Sequence, residues 1–253
     1  MSVRIRDHGW ILQRVAFRES SLVVRLFTRD HGKQTVMARG VRQNHRDGRR
    51  AALAGLHTLE VEGSARSASA MLVLTRVDIV KPRYRLLQRP ESLLAAQVIQ
   101  ESILRLTADA DPLAEVFDLS ESLLDLLDHG EHPLPALALC LGRMIHLLGY
   151  GWRLDGCAAC ASGKDLTFFS VKRQQVVCTP CGTPYAPRLL PITPEVLDAM
   201  TLLPWPAHSL SDQGATMLYR IIMNSLARVT GGPLLTDEPF RAMMIPSPDI
   251  GSH

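Results

Sequence analysis

The first 80 residues follow a two-residue alternation of apolar and polar positions. Leu22, Val24 and Leu26 share one face of such a run, as do Leu59 and Val61 of another. This period is typical of half-buried strands. No helical pattern between the runs is long enough to join parallel strands, so a small closed barrel is predicted, either an OB-fold or an SH3-like barrel. The five predicted strands lie at residues 9–17, 21–28, 34–38, 56–62 and 71–80.

From residue 90 onward the apolar positions recur at helical spacing. Pro90 and Glu91 are typical of a first helical turn, and Leu94 and Val98 follow one turn apart. Short connections rich in Pro and Gly separate the helices, which favours a helical bundle. The predicted fold is therefore α+β, with a barrel domain at 1–82 and a helical domain at 83–253. The further helices are predicted at 111–130, 133–148, 193–203 and 211–229.

Two cysteine pairs interrupt the helical domain. Cys157 and Cys160 form the first pair, Cys178 and Cys181 the second, and 17 residues separate them. This C-x2-C spacing is typical of structural zinc sites, in which two tight turns aim four thiolates at one tetrahedral Zn²⁺ and leave no open position. The sequence therefore predicts one structural Zn²⁺ in a four-cysteine zinc finger at about 153–187, with strand-like segments at 166–170 and 175–177.

The alternatives to zinc are disulfides, a former metal site that is now empty or redox-active, and buried free thiols. The chain shows no apolar signal-peptide segment near Met1, so we expect reduced thiols and a cytoplasmic protein. Cys140 stands alone in an apolar helical pattern and is expected in the core. A glycine after the second cysteine eases each turn, because glycine tolerates positive φ. Gly182 follows Cys181, whereas Ala161 follows Cys160, so the first turn is expected to be slightly strained.

Charge is distributed unevenly along the chain. Residues 1–85 carry 17 Lys and Arg against 7 Asp and Glu, whereas residues 86–253 carry 11 against 18. A basic half suits a polyanion, since each phosphate contact releases counterions. The connection at 39–50 contains five arginines and one acid, and a disordered basic linker is the alternative to a binding loop. The predicted DNA-binding residues are Lys33, Arg39, Arg42, Arg46, Arg49 and Arg50.

Aromatic residues are scarce in the basic half, so phosphate contact is expected to outweigh base stacking. The only candidates in the barrel are Trp10, Phe17, Phe27 and Tyr84, and alternation assigns some of them to the core. We therefore expect binding that tolerates any base sequence and weakens with salt.

Motifs of the common enzyme classes are missing from the sequence. There is no G-x-x-x-x-G-K-[ST] phosphate loop, no G-x-S-x-G elbow and no H-x-E of a zinc deaminase. A zinc hydrolase needs an open coordination position, which a closed four-cysteine set does not offer. The longest apolar stretch, 134–150, contains Arg143 and His146 and is too short and polar for a membrane span. A non-enzymatic protein without a membrane segment is expected.

Four short segments of the basic half occur in a fixed order ahead of the cysteine pairs: Phe17-Arg18-Glu19-Ser20-Ser21-Leu22, Leu26-Phe27-Thr28, His31-Gly32 and Ala38-Arg39-Gly40-Val41-Arg42. In these segments and the cysteine pairs, the chain resembles the RecO family of bacterial recombination mediators along nearly its whole length. It departs from the family pattern at Ala161 and at Gln174-Gln175, where glycines are usual.

The resemblance implies an N-terminal OB-fold and a helical domain with a zinc finger. It also implies binding of single- and double-stranded DNA without sequence preference, and annealing of complementary strands. With RecR and single-strand binding protein, the family helps load RecA onto gapped DNA in the RecF pathway, in the bacterial cytoplasm at the nucleoid. The acidic tail of single-strand binding protein docks on the helical domain, where Arg143 and Arg220 are candidate contacts. The alternative is a zinc-stabilised adaptor between proteins without intrinsic DNA binding.

Overall fold

The computed structural model describes residues 3–43, 48–67, 70–202 and 210–245. The chain divides into two compact units. The first comprises Met1–Ala96 and Gln100–Gly130, and the second comprises Gln97–Ile99 and Glu131–His253. Two helices thus group with the barrel in the first unit, although the sequence predicts a boundary after residue 82. Independent folding of residues 1–82 stays a prediction.

Five strands of the first unit close into a barrel. They pair in the order β1-β2-β3-β5-β4, and every neighbouring pair is antiparallel except β3 with β5. The predicted OB-fold barrel is confirmed. Its first strand begins earlier than predicted, because residues 3–9 pair with β4 and the inward face set by Val3 and Ile5 continues at the buried polar residue Asp7. The strands are β1 Val3–Phe17, β2 Ser21–Thr28, β3 Gly32–Ala38, β4 Thr58–Ala65 and β5 Leu72–Lys81.

A short helix, α1 Gly48–Ala52, lies within the connection predicted as a basic loop. The arginines of this segment obscured its apolar residues in the sequence pattern. Ala52 and the following Leu53 are buried in the barrel core together with Val41. The connection is therefore anchored to the barrel at both ends of its described part. The rest of this core is formed by residues of all five strands: Ile11, Val24, Leu26, Val36, Ala38, Leu59, Val61, Leu74 and Val77.

Helix α2 Pro90–Leu106, apart from its Gln97–Ile99 turn, and helix α3 Ala114–His129 complete the first unit. A 3-10 turn at Leu86–Gln88 precedes them. Gly130 ends α3 in the left-handed conformation, as the sequence indicates. Phe117 of α3 packs on Phe27 of β2, with ring centroids 5.7 Å apart. Apolar contact thus holds α3 on the barrel.

A buried arginine provides the polar part of the same contact. Arg83 is 1% exposed, and its Nη2 donates to Glu121 Oε2 at 2.8 Å and to Asp125 Oδ1 at 2.7 Å on α3. Its Nη1 donates to the Leu56 carbonyl at 3.1 Å. Burial and the Arg83 charge lower the pKa of His57, whose neutral ring accepts the Arg83 backbone N–H through Nδ1. The positive charge of the buried Arg83 guanidinium is therefore balanced by the negative charges of Glu121 and Asp125.

The second unit contains helices and the finger. α4 packs on α7, and the fifth cysteine, Cys140, is fully buried in α4 as predicted. Ser211 caps α7 by accepting the Gly214 N–H. The sequence pattern missed α8, because only Phe240 anchors it, against Tyr219 at 5.3 Å between ring centroids. The helices are α4 Pro133–Leu147, α6 Pro194–Leu202, α7 Asp212–Thr230 and α8 Asp237–Met244.

The finger lies between α4 and α6 in the chain. Its three strands pair in the order β7-β6-β8, and both pairings are antiparallel. A short helix and a 3-10 helix follow β7. Within the described ranges of the chain, no helix combines the length and the apolar character needed to cross a bilayer. The finger elements are β6 Leu166–Ser170, β7 Gln175–Cys178, α5 Thr179–Gly182, the 3-10 helix Thr183–Arg188 and β8 Leu190–Pro191.

Candidate metal centre and nucleic-acid interface

The four paired cysteines meet at one point in the finger. Their Sγ atoms all lie within 4.8 Å of one another, and those of Cys160 and Cys178 are 3.7 Å apart. Tetrahedral Zn²⁺ with Zn–S bonds of about 2.3 Å places its sulfurs about 3.8 Å apart. Cys157 and Cys178 are buried, whereas Cys160 is exposed and Cys181 half-buried. The sulfur cluster therefore fits one structural zinc ion, which would link the loop before β6 to the end of β7.

Ionisation of all four thiols in this cluster requires a cation. Burial disfavours the charged form of Cys157, but backbone N–H groups of the two turns outweigh it and lower the pKa of this thiol to about 6. Hydrogen bonding with neighbouring thiols, that of Cys178 first, raises the pKa of Cys181 to about 12. Four thiolates at this separation repel one another. A divalent cation would compensate their charge.

The backbone of the two turns shows why small residues occur there. Ala161 has φ 60°, so the strain expected in the first turn is confirmed. Gln174, at the other departure from the family pattern, also has positive φ, at 51°. The expectation for Gly182 is wrong, because its φ is −85°. Glycine is required there by space, since a Cβ would lie 2.4 Å from Cδ2 of Phe168.

Exposed arginines gather where the β1–β2 turn meets the β3–α1 connection. The Arg42 N–H donates to the Ser20 carbonyl at 2.9 Å, and its Nη1 donates to the Arg18 carbonyl at 2.8 Å. Arg14 Nη1 donates to the Leu53 carbonyl, just after α1, at 2.7 Å. These bonds tie β1 and its turn to the connection and to α1. We define the barrel arginine surface as Arg14, Arg18, Arg39, Arg42, Arg49 and Arg50.

Two other predicted DNA-binding residues do not belong to this surface. Lys33 is 4% exposed, with its Nζ 2.9 Å from the Leu104 carbonyl and 3.5 Å from Asp109 Oδ1. Burial lowers the pKa of Lys33, an effect that Asp109 opposes. Lys33 therefore joins β3 to the end of α2 and does not face solvent. Arg46 lies outside the described residues.

Comparison with known proteins decides the family. The family model for the N-terminal part of recombination protein O matches residues 1–83, and the model for its C-terminal part matches residues 87–234. The chain belongs to the RecO family. Proteins named DNA repair protein RecO are 33% identical to it in Anaeromyxobacter sp. (strain K) and 31% in Brucella abortus (strain 2308). The alignments cover 79% and 76% of this chain, and equal shares of those proteins.

Sequence reasoning missed part of the RecO barrel surface. Arg14 and Arg18 were not predicted, although the exposed run that contains them breaks the alternation of β1. Phe17 in this run is 38% exposed, and the Arg18 guanidinium carbon lies 5.3 Å from its ring centroid. Trp10 and Phe27 are fully buried. Phe17 thus presents an aromatic face beside these arginines, whereas the exposed Tyr84 packs edge-on against His57, with ring centroids 5.0 Å apart.

Ion pairing separates this surface from most of the other cations of the basic half, although Arg4, Arg66 and Arg85 also take part in no ion pair among the described residues. Among the described residues, Arg14, Arg18, Arg39 and Arg42 take part in no ion pair. The paired cations of the first RecO unit are neutralised by carboxylates of strands and helices. Positive charge without a local carboxylate is what a phosphate chain can use. The paired cations include Arg6 with Glu60, Arg25 with Asp109, Arg29 with Asp118, Arg76 with Asp78 and Lys81 with Asp125.

Proposed function

We propose that this RecO-family chain is a DNA repair protein that binds single- and double-stranded DNA through the barrel arginine surface. The observation that carries the proposal is the absence of ion pairs, among the described residues, at Arg14, Arg18, Arg39 and Arg42 of an OB-fold barrel. A guanidinium donates two parallel hydrogen bonds to phosphate, and contacts to phosphate carry no base sequence. Binding therefore tolerates any sequence.

Strand annealing follows from the same contacts. Two single strands repel each other, and arginines that neutralise both leave the base edges free to pair. The exposed Phe17 adds a face on which one unpaired base can stack. No nucleotide hydrolysis is needed. The zinc ion is structural in this proposal, since four cysteine ligands leave no position for water or substrate.

The proposed partners are RecR and single-strand binding protein, with which the chain would load RecA onto gapped DNA in the cytoplasm at the nucleoid. The acidic tail of single-strand binding protein requires a cation beside an apolar recess. Arg143 supports this role, because it lines a cavity of about 330 Å³ together with His146, Leu147 and Trp152. Arg220 is exposed on α7 and does not line this cavity.

Removing two arginines of the barrel surface is expected to weaken DNA binding and its salt dependence. We expect Arg39→Ala/Arg42→Ala to bind a labelled single strand about tenfold or more weakly at low salt. The slope of log affinity against log salt flattens by about 1.4, since each phosphate contact on a single strand contributes about 0.7. Fluorescence anisotropy at several salt concentrations measures both quantities.

The matched control is Arg6→Ala/Arg76→Ala, which removes the same charge from barrel arginines that are already paired. It is expected to bind nearly as the parent does. An Arg39→Lys/Arg42→Lys variant keeps the positive charge but lacks the planar guanidinium that donates two parallel hydrogen bonds. Its affinity for DNA is expected to lie between those of the parent and the alanine variant. If the parent and Arg39→Ala/Arg42→Ala show equal slopes of log affinity against log salt, this surface does not contact DNA. If the parent does not bind DNA in low-salt buffer, the alternative function as an adaptor between proteins is favoured.

Arg143→Ala is expected to weaken binding of a labelled peptide that carries the acidic tail of single-strand binding protein. A charge-assisted hydrogen bond contributes about 1.5–3 kcal/mol, so the loss is about 10- to 150-fold. Peptide titration by anisotropy measures it. Arg220→Ala tests the other candidate and is expected to change the affinity little. The reverse order of effects would move the peptide site to α7.

A further inference from the structure

The finger is a basic segment within an acidic half of the chain. Residues 153–188 carry 5 Lys and Arg against 2 Asp, whereas the rest of 86–253 carries 6 against 16 acids. In the part of the chain that the structure describes, none of the finger cations takes part in an ion pair. A zinc ion that only stabilises the fold of the finger does not require this excess of positive charge. The surplus therefore indicates an anionic partner.

Several of these cations lie around one exposed tyrosine. Tyr185 is 61% exposed and lines a cavity of about 200 Å³ together with Arg173. Arg173 is held there by the bond from its Nη1 to the Ala158 carbonyl at 2.7 Å. Arg188 follows Tyr185 by three residues in the 3-10 helix, in which such side chains lie one above the other.

The turn between β6 and β7 brings further cations to the same part of the finger. Lys172 precedes Arg173 in this turn and is exposed. Arg228 of α7 donates to the carbonyls of Val171 and Lys172, so its charge lies beside the turn. We define the finger face as Tyr185, Lys172, Arg173 and Arg188.

An exposed aromatic ring that shares its cavity with one cation and is followed by further exposed cations without carboxylate partners is an arrangement suited to single-stranded nucleic acid. A base face is available for stacking only when the base is unpaired, which favours a single strand over a duplex. Val177, Leu189 and Ala158 form an apolar wall of the cavity beside the ring. We propose that the finger face is a second site for single-stranded DNA, in which Tyr185 stacks on a base and Lys172 and Arg188 contact phosphates. The proposal rests on the DNA-binding function proposed above, and two sites would allow one chain to hold two strands.

Tyr185→Ala is expected to lower the affinity for a labelled single strand about 5- to 150-fold at this site. The measurement is made in the Arg39→Ala/Arg42→Ala background, in which the barrel contributes less to the total affinity for the strand. Tyr185→Phe retains the aromatic ring and is expected to bind the single strand as the background variant does. Tyr185→Ala is expected to lower the affinity for a duplex less than the affinity for a single strand. Lys172→Ala/Arg188→Ala is expected to flatten the salt slope by about 1.4.

The controls remove the same groups from elsewhere in the chain. Tyr150→Ala removes a tyrosine that is 43% exposed outside the finger, and Arg105→Ala/Arg241→Ala removes two helix arginines. Both are expected to bind as their parent does. Zinc content is measured for every variant, so that loss of the finger fold is recognised.

Photo-crosslinking locates the contact directly in the unaltered chain. A single strand with 5-iododeoxyuridine is expected to form an adduct on the peptide that contains Tyr185. Adducts confined to barrel peptides, with parent affinity for Tyr185→Ala, would overturn the proposal and assign the finger face to a protein partner. A parent chain that binds no oligonucleotide would instead refute the proposed function as a whole.

Discussion

Cys157→Ser is expected to remove zinc and unfold the finger. The apolar cluster around the cysteines is small, with Cys157, Val177 and Cys178 as its buried residues, and the finger adds the fully buried Phe169 and Val176. Structural zinc contributes about 10–16 kcal/mol to the folding of isolated fingers, more than so small a cluster can contribute by burial. We expect about one zinc per chain in the parent and less than about a tenth of that in the variant. Metal analysis and limited proteolysis of residues 153–188 measure the two effects.

Cys140→Ser is the matched control for this experiment. Cys140 is fully buried in α4, and a hydroxyl there lowers stability by about 1–3 kcal/mol without touching the metal. Its zinc content is expected to equal that of the parent. Chelation of the parent is expected to reproduce the protease sensitivity of Cys157→Ser. A Cys157→Ser variant with full zinc and a protected finger would contradict the assignment of the four ligands.

Arg83→Ala is expected to destabilise the first unit by about 3–5 kcal/mol. Removal of the guanidinium takes away the ionic partner of Glu121, which is 14% exposed, and leaves Asp125, which is 26% exposed, paired only with the exposed Lys81. For a chain of this size such a loss lowers Tm by about 6–20 °C. Urea unfolding followed by circular dichroism measures the free energy.

A neutral replacement of the whole group tests the cause. Arg83→Met/Glu121→Gln/Asp125→Asn leaves no buried charge and is expected to recover most of the lost stability. Lys81 also pairs with Asp125 and is 53% exposed. Lys81→Ala is therefore expected to lower the free energy of unfolding by less than about 1 kcal/mol. An Arg83→Ala variant as stable as Lys81→Ala would show that the buried group contributes little.

Those parts of the fold that depend on local periodicity were predictable. Leu22, Val24 and Leu26 indicate β2 by alternation alone, and the spacing of Cys157 to Cys181 indicates the metal cluster. Helix α1 was not predictable, since its burial depends on strands that are distant in sequence. Lys33 shows the same limit: its charge indicates a surface residue, but the Leu104 carbonyl that receives it lies 71 residues further along the chain.

The binding surfaces were predictable only in part. The arginines of 39–50 stand out in composition, whereas Arg14 and Arg18 reach the same surface through the β1–β2 turn. Tyr185 carried no signal in the sequence, because the exposure of one aromatic residue depends on the packing around the metal cluster. Composition identifies the charge, and only the fold shows which charges remain without a carboxylate.

The parallel contact of β3 with β5 has a consequence for the order of folding. It consists of two residue pairs, Val36 with Leu72 and Met37 with Val73, far apart in sequence. Contacts of long sequence separation form late, after local hairpins. We therefore expect the β1-β2-β3 meander and the β4–β5 hairpin to form first, and the two pairings that join them, β3 with β5 and β1 with β4, to form later. A chain in which only the meander has formed would hold Arg14, Arg18, Arg39 and Arg42 but would lack the core into which Ala52 and Leu53 of the α1 segment pack, so the barrel arginine surface would be completed only when the ring closes.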